Sequence, residues 1–193
     1  MVKSILKEER IEIIAGAEVT LKSKEVTVKG AKGKLIRSFA KVPVQMIGEY
    51  DDKKVLKAIN VRVWFAKSKA KSSITSICSL ISNMMVGVTK GYSYVMKFGY
   101  NLIPMQPVAE DNGNALKVIN YIGEKFTRRI RASKGCHIST KNVEAKKEIE
   151  VTGIDSEAVG NTCARINQSC KPKEKDRRVF KDGIYIFNRG LQE

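Results

Sequence analysis

The first part of the chain alternates apolar and polar positions with the two-residue period of β-strands. The pattern is clearest in VTVKG at 26–30, KLIRSF at 34–39 and VPVQMI at 42–47, which are rich in β-branched residues and bounded by turn residues. KGAKGK at 29–34 joins the first two as a glycine-bearing loop. The pattern therefore predicts an antiparallel sheet whose hairpin carries three lysines, and a solvated turn is the simplest interpretation of that loop.

A helical pattern follows this sheet. Apolar residues recur at spacings of three and four at Ile74, Ile77, Cys78, Ile81, Met84, Met85 and Val88. Ser72 or Ser73 is the expected cap at its start, and Gly91 suits its end. Residues 72–89 carry no charge, but eight of them are Ser, Thr or Asn, so a membrane-spanning helix is not expected.

Strand patterns then resume in the second half. They occur in YSYVMKF at 92–98, ALKVINYIG at 115–123, KFTRRIRA at 125–132 and KKEIEVTG at 146–153. A second helix is predicted to begin near Asp155 or Ser156 and to stop at Pro172. Its apolar stripe consists of Val159, Cys163, Ile166 and Cys170.

The two halves resemble each other. EVTVKG at 25–30 and EIEVTG at 148–153 share residues at matching offsets, and each half has several strands followed by one amphipathic helix. Duplication of one unit explains both facts. We therefore predict an α+β fold with two tandem similar domains, residues 1–90 and 91–193, each an antiparallel β-sheet with one packed α-helix.

The net charge is strongly positive. Lys and Arg number 36 and Asp and Glu number 20, which gives a formal charge of +16. No acid occurs in 53–109 or in 125–143, although both stretches contain several cations. This distribution favours a polyanionic partner, most often nucleic acid, over a soluble protein that merely happens to be cationic.

Motifs for catalysis are scarce. The single histidine, His137, adjoins Cys136, but neighbouring side chains on a strand point to opposite faces, so a Cys-His dyad is not expected. The sequence contains no Walker phosphate loop, no dinucleotide fingerprint and no zinc-finger spacing. The four cysteines lack a Cys-x-x-Cys pair, and buried, reduced thiols are the better interpretation. We expect no enzymatic activity, cofactor, metal or small-molecule substrate.

The distribution of cations favours RNA over DNA. The first helix exposes mainly Ser, Thr and Asn, whereas cations concentrate in loops, in turns and on one strand face, where Lys125, Thr127, Arg129 and Arg131 alternate with Phe126 and Ile130. Such cations fit the phosphates of a shaped RNA. Four aromatic residues near cations are candidates for stacking on unpaired bases, although core positions are their commoner role: Tyr92, Tyr94, Phe180 and Tyr185.

The C-terminal sequence RRVFKDGIYIFNR resembles the signature of the universal large-subunit ribosomal protein family called L-six in bacteria and L-nine in eukaryotes. Lys175, Arg178, Phe180, Asp182, Gly183, Ile184, Tyr185, Ile186 and Arg189 occupy its places. Further segments are similar to family motifs in the same order: VKGAKGKL at 28–35, GVTKGYSYVM at 87–96, NYIGEKFTRRIR at 120–131 and VTGIDSEAVG at 151–160. Of these, NYIGEKFTRRIR looks like the eukaryotic-archaeal version of its motif.

The resemblance implies a structural constituent of the large ribosomal subunit that binds large-subunit rRNA, mainly through the C-terminal domain. It implies a position near the sarcin-ricin region, with neighbouring ribosomal proteins as partners and translational GTPases close by. The implied location is the cytoplasmic ribosome, with a nucleolar stage during assembly. A ribosome-associated assembly factor on the same fold is the alternative, and an RNA-acting enzyme would need an acid-base pair that the chain does not display.

The resemblance also implies which residues contact RNA. The first group is Lys175, Arg177, Arg178, Lys181 and Arg189, with Gly183 allowing a close approach of the backbone. The second group is Arg129, Arg131, Lys29, Lys32 and Lys34. The first group lies between the helix that ends at Pro172 and a predicted strand. We therefore expect the cations of this first group to be held in place by folded backbone.

Overall fold

The computed structural model describes residues 5–51, 56–100, 103–143, 146–173, 175, 176 and 178–192. The chain divides into two compact units, Met1–Lys90 and Gly91–Glu193. Each unit contains antiparallel strands and one helix, so the predicted α+β class is confirmed. In each unit the strands form two sheets, which differs from the single sheet that we expected.

In the part of the N-terminal unit that the structure describes there are six strands and an α-helix. The elements are β1 (Leu6–Glu12), β2 (Glu18–Lys22), β3 (Glu25–Gly30), β4 (Gly33–Ser38), β5 (Gln45–Tyr50), β6 (Leu56–Trp64) and α1 (Ser68–Thr89). One sheet has the order β1-β6-β5 and the other has the order β2-β3-β4. The predicted hairpin is confirmed, because β3 and β4 pair from Glu25 opposite Ser38 to Gly30 opposite Gly33.

Helix α1 is the core helix of this unit. It packs against β1, β3, β4 and β6, and it buries the predicted apolar stripe except Cys78, which is half-buried. Its length and composition alone would suit a membrane span, but a core helix passes the same test. Gly91 follows its end with a φ of 75°, in the left-handed region that favours glycine.

The predicted cap of α1 is wrong. The helix begins at Ser68, and the residue before it, Lys67, makes no side-chain capping bond. The hydroxyls of Ser72 and Ser73 instead donate to the carbonyls of Ser68 and Ala70 inside the helix. The first turn is polar and mostly exposed, so the apolar stripe that begins at Ile74 could not reveal it.

The described residues of the C-terminal unit form seven strands, an α-helix and two single-turn 3-10 helices, Asp111–Gly113 and Tyr121–Gly123. The elements are β7 (Tyr92–Gly99), β8 (Gln106–Glu110), β9 (Ala115–Ile119), β10 (Arg128–Arg131), β11 (Cys136–Val143), β12 (Lys146–Gly153), α2 (Ser156–Ser169) and β13 (Gly183–Leu191). One sheet has the order β10-β9-β8 and the other has the order β11-β12-β7-β13. The segment 115–123 is only partly strand, because Asn120 and Ile122 adopt positive φ values of 63° and 50°.

Helix α2 begins and ends as predicted. The Asp155 side chain accepts a hydrogen bond from the backbone N–H of Glu157 at 3.1 Å, which caps the helix. Val159, Cys163, Ile166 and Cys170 are all buried. The helix ends at Ser169, shortly before the buried Pro172.

The two units share one topology. The arrangement of β1, β5, β6, the β2-β3-β4 sheet and α1 recurs as β7, β11, β12, the β8-β9-β10 sheet and α2, and β13 is an additional strand beside β7. The sequence echo that suggested duplication is misaligned, because β3 is the centre of a three-stranded sheet whereas β12 corresponds to β6. Both β6 and β12 bury alternate aliphatic residues, Ile59 and Val61 in the first and Ile149 and Val151 in the second.

Two glycines of the C-terminal unit should respond oppositely to alanine. A Cβ at Gly153 would lie 2.8 Å from Cγ2 of the fully buried Val159 and 3.1 Å from the carbonyl oxygen of Gly135. We expect Gly153→Ala to lower the free energy of unfolding by about 1–3 kcal/mol through overpacking. A Cβ at Gly160, inside α2, would meet nothing within 4 Å, so Gly160→Ala should raise it by about 0.5–1 kcal/mol.

Urea unfolding followed by circular dichroism measures both changes in the full chain. Because both variants add one methyl group to the same unit, each serves as the control for the other. Equal effects of the two substitutions would contradict the packing described around Gly153.

Candidate nucleic-acid interface

Many cations on the sheets are already paired with carboxylates. The ion pairs include Arg10 with Glu49 at 3.0 Å, Arg62 with Glu8 at 2.7 Å, Lys97 with Glu148 at 3.2 Å, Lys117 with Glu110 at 3.3 Å and Lys141 with Glu150 at 2.6 Å. Hydrogen bonds from Lys141 and Ser93 hold the pKa of the Glu150 carboxyl below its usual value. A cation that is already paired with a carboxylate interacts less favourably with an RNA phosphate.

The cations between α2 and β13 differ from these. We call residues 171–182 the C-terminal basic segment. Its described cations form no ion pair with any described residue, and all except the half-buried Lys171 are exposed: Lys171, Lys173, Lys175, Arg178 and Lys181. Arg177, which the sequence also suggested, lies outside the described residues. This segment therefore concentrates unneutralised positive charge.

A turn built on Asp176 holds the middle of the basic segment. Oδ1 of Asp176 accepts a hydrogen bond from the backbone N–H of Arg178 at 2.9 Å, and its carbonyl oxygen accepts from the N–H groups of Val179 and Phe180 at 3.1 and 2.9 Å. The Lys175 ammonium lies 5.8 Å from the centroid of the Phe180 ring. These contacts fix the backbone on both sides of the exposed cations.

The ends of the basic segment are anchored to the unit. Pro172 is buried at its start. At its end the Tyr185 hydroxyl donates to the carbonyl oxygen of Lys181 at 3.2 Å, and the Asn167 side chain donates to the carbonyl oxygen of the fully buried Ile184 at 2.7 Å. The expectation that folded backbone presents these cations is met at Lys175, Arg178 and Lys181.

Gly183 is packed inside the unit, and its close approach to RNA stays a prediction. It is buried as the first residue of β13, opposite Gly99, and its φ is not positive. A Cβ there would lie 3.0 Å from the Tyr185 hydroxyl oxygen and 3.2 Å from the carbonyl oxygen of Cys170. Packing within the unit explains the absence of a side chain at this position, so a close approach of RNA is not needed to explain it.

A β-bulge determines where Arg189 lies. The pairing of β13 with β7 shifts between Ile186, opposite Met96, and Asn188, opposite Val95, which leaves Phe187 as the extra residue. Arg189 consequently pairs with Tyr94, is exposed, and forms no ion pair with a described residue. It lies about 20 Å along the strand from Gly183, so the structure does not bring it next to the C-terminal basic segment.

Strand β10 shows the predicted alternation only from Arg128 onward. Ile130 is buried, whereas Arg129 and Arg131 are exposed. Arg129 pairs with Glu110 at 3.1 Å and Asp111 at 2.7 Å, which weakens its case as an RNA contact. Arg131 forms no ion pair with any residue that the structure describes, so it stays the better candidate on this strand.

Arg128, the first residue of β10, supports the fold. Its guanidinium donates to the carbonyl oxygen of Ser169 at the end of α2, and it forms two bonds to the Glu124 carboxylate at 2.9 and 2.6 Å. The same group lies 4.4 Å from the centroid of the Tyr121 ring. A cation at a helix C-terminus interacts favourably with the helix dipole, so Arg128 anchors the end of α2.

The lysines of the N-terminal hairpin lie beside the end of α1. Lys29 and Lys34 are exposed and directly opposite each other, and the backbone N–H of Lys32 donates to the carbonyl oxygen of Val88 at 3.0 Å. Placing two like charges opposite each other costs a few tenths of a kcal/mol. This hairpin is therefore a second fixed cationic feature, in the other unit.

Of the four aromatic residues proposed for base stacking, two are accessible. Tyr92 is buried and Tyr94 is half-buried, whereas Phe180 and Tyr185 are exposed. The sequence interpretation missed Phe187, whose ring centroid lies 3.5 Å from the Lys97 ammonium nitrogen. It also placed Phe126 on the apolar side of a strand, but β10 begins two residues later and Phe126 is 73% exposed.

The cysteines are unsuited to catalysis. Cys136 is buried and His137 is exposed, as strand geometry predicts for neighbours. Burial raises the pKa of the Cys163 thiol to about 12 and that of the Cys78 thiol to about 11, so both stay protonated. Within the described part of the chain, no group of His, Cys, Asp and Glu side chains could hold a metal ion.

Comparison with known proteins agrees with the duplicated fold. The family model of ribosomal protein L6 matches the chain twice, at residues 13–91 and 103–183. The Large ribosomal subunit protein uL6 of Tetrahymena thermophila is 36% identical over 189 residues, which covers 98% of this chain and 97% of the relative.

Two further relatives extend this similarity. The Large ribosomal subunit protein uL6A of Schizosaccharomyces pombe is 35% identical over 190 residues, covering 98% of this chain and 96% of the relative. The Large ribosomal subunit protein uL6 of Sulfurisphaera tokodaii is 36% identical over 187 residues, covering 97% and 95%. These matches concern ribosomal structural proteins and not enzymes. With its two matches to the family model and relatives similar along nearly its whole length, the chain belongs to the ribosomal protein L6 family.

Proposed function

We propose that the protein is a structural component of the large ribosomal subunit and that its C-terminal basic segment is the main contact with large-subunit rRNA. The observation that carries this proposal is the set of cations that form no ion pair with a described carboxylate and that the Asp176 turn holds in place. The relatives are each named as a large ribosomal subunit protein, which supports the assignment to that subunit.

Phosphate is the group that these cations fit. Unpaired Lys and Arg side chains neutralise phosphates and release counterions, which supplies most of the sequence-independent affinity for nucleic acid. A segment that is already ordered loses less conformational entropy on binding than a disordered basic tail. Arg131 and Arg189, and the hairpin lysines Lys29, Lys32 and Lys34, provide additional contacts under this proposal.

The finer location is part of the same proposal. The likeness of residues 175–187 to the family's C-terminal signature supports binding near the sarcin-ricin region, where translational GTPases dock. The partners are then rRNA and neighbouring ribosomal proteins, with the GTPases close by. The protein acts in cytoplasmic ribosomes and passes through the nucleolus during assembly.

Removing two unpaired cations should weaken RNA binding more than removing two paired ones. If roughly eight phosphates are neutralised, the logarithm of affinity for a large-subunit rRNA fragment should fall with the logarithm of salt concentration at a slope of about −7. Replacing both Lys175 and Arg178 by alanine should make that slope shallower by about 2. Fluorescence anisotropy of a labelled fragment across a salt series measures it.

The matched control replaces Lys117 and Lys141, which pair with Glu110 and Glu150. It removes the same net charge from the same unit, and we expect little change in slope. Thermal unfolding verifies that both double variants are folded. Equal slopes for the two would mean that total charge, and not the basic segment, drives binding.

Two substitutions of Asp176 distinguish the effect of its charge on RNA affinity from the effect of the turn that it forms. Asp176→Asn and Asp176→Ala both remove one negative charge, but the asparagine oxygen can still accept the bond from the Arg178 N–H. We expect Asp176→Asn to bind the rRNA fragment as tightly as the wild type or more tightly. Asp176→Ala should bind about threefold to tenfold more weakly, because disordered side chains must be ordered on binding.

The same anisotropy assay at one fixed salt concentration measures both Asp176 variants. Electrostatics alone predicts that both substitutions strengthen binding equally. Tighter binding by Asp176→Ala would therefore show that the turn does not preorganise the cations.

The assignment as a permanent component predicts retention on the subunit. After a high-salt wash of purified large subunits, quantitative mass spectrometry should still find about one copy per subunit, as multiple preorganised phosphate contacts within a packed particle dissociate slowly. An unrelated basic protein added to the same subunits is the control and should wash off. Loss of the protein with that control would indicate a transient assembly factor.

A further inference from the structure

A groove on the C-terminal unit extends beyond the basic segment. It has a volume of about 570 Å³ and lies between the loop before β10 and the end of α2. Its lining includes Phe126, Gln168 and Lys173, and the last of these belongs to the C-terminal basic segment. A space of this size falls within the range of pockets that hold small organic ligands.

One wall of the groove is rigid. Arg128 is held at once by the Glu124 carboxylate, the Ser169 carbonyl oxygen and the Tyr121 ring. Arg129 is held by Glu110 and Asp111. The charges of these lining side chains are thus already balanced within the protein, and they shape the groove without needing a ligand.

Three other lining side chains have unsatisfied binding capacity. The Phe126 ring is 73% exposed beside the groove, which is costly for so large an apolar group. Gln168 and Lys173 are exposed, and neither side chain forms a hydrogen bond or ion pair with another described residue. The groove therefore presents an aromatic face, an amide with a donor and an acceptor, and a cation.

We propose that this groove binds one unpaired nucleotide of RNA. The base stacks on Phe126, the Gln168 amide bonds the edge of the base, and the Lys173 ammonium contacts its phosphate. This inference rests on the proposed function, because it continues the same interface from the basic segment toward β10. It adds a site for a base to an interface otherwise made of phosphate contacts.

Charge favours RNA over a protein as the occupant. Lys125, which lies between the lining residues Glu124 and Phe126 in the chain, is exposed and, like Lys173, forms no ion pair with any residue in the described ranges. A protein loop could also cover Phe126, but the excess of unpaired cations around the groove complements a polyanion. The basic segment also leads directly into the groove through Lys173.

The test compares binding of single-stranded oligouridine and of an oligo(A)–oligo(U) duplex to the full chain. Phe126→Ala should weaken oligouridine binding about tenfold, the size expected for loss of one stacked base, without changing the salt slope. It should leave duplex binding unaltered, because a paired base cannot enter the groove. Phe126→Tyr keeps an aromatic face and should restore the affinity.

Two further variants separate the roles. Lys173→Ala should make the oligouridine salt slope shallower by about 1, as expected for one phosphate contact. Phe65→Ala is the matched control, since Phe65 is 74% exposed but lies in the other unit, and it should change neither affinity nor slope. Circular dichroism confirms that each variant is folded.

The proposal is overturned if Phe126→Ala binds oligouridine as Phe65→Ala does, or if it weakens duplex binding equally. It is also overturned if Phe126→Ala leaves RNA affinity intact but lowers incorporation into large subunits, since the groove would then hold a protein. The Lys175 and Arg178 double variant distinguishes failure of the nucleotide site from failure of the proposed function. If the Phe126 test fails but the double variant binds rRNA more weakly than the wild type, the nucleotide site is wrong and the proposed role of the basic segment stands.

Discussion

In each unit, one amphipathic helix packs against two antiparallel sheets, and the rest of the structure depends on this burial. The stripe from Ile74 to Val88 in α1 and the shorter stripe from Val159 to Cys170 in α2 form these contacts. Burying one such aliphatic side chain contributes roughly 1.5–3 kcal/mol. Because the apolar faces turn inward, charged side chains collect on the outer faces of the sheets and in the connections.

The cations then separate into two groups by their surroundings. Those on sheet faces have carboxylates within reach across the strands and pair with them, as Arg62 does with Glu8 and Lys141 with Glu150. The described cations of the C-terminal basic segment form no ion pair with a described residue. The backbone of that segment is ordered by Asp176 and Tyr185 instead. The C-terminal basic segment is thus ordered, and its described cations remain available to an external anion.

Local patterns predicted the helices, most strands and the duplication, because periodicity and capping residues are local properties. Asp155 as a cap is an example. The echo between 25–30 and 148–153 failed, because shared residues reflect strand composition and do not reveal which sheet a strand joins. The sequence around a residue also does not reveal its tertiary partner, as the ion pair between Arg129 and Asp111 shows. Nor did the sequence around Phe126 indicate that this residue lies outside β10. The family signature located the basic segment but could not separate Gly183, a packing residue, from the exposed cations.

The bulge at Phe187 makes the spacing of the last strand as consequential as its composition. Five regular steps along a strand would place Arg189 on the opposite face from Ile184, but the extra residue keeps both on one face, because Ile184 pairs with Phe98 and Arg189 with Tyr94. A lineage could therefore lose Phe187 and keep the surface that follows it, because regular pairing would still set Arg189 opposite Tyr94. A one-residue deletion in a strand without a bulge turns every later side chain over, so the bulge makes this strand more tolerant of a change in length than a regular strand is.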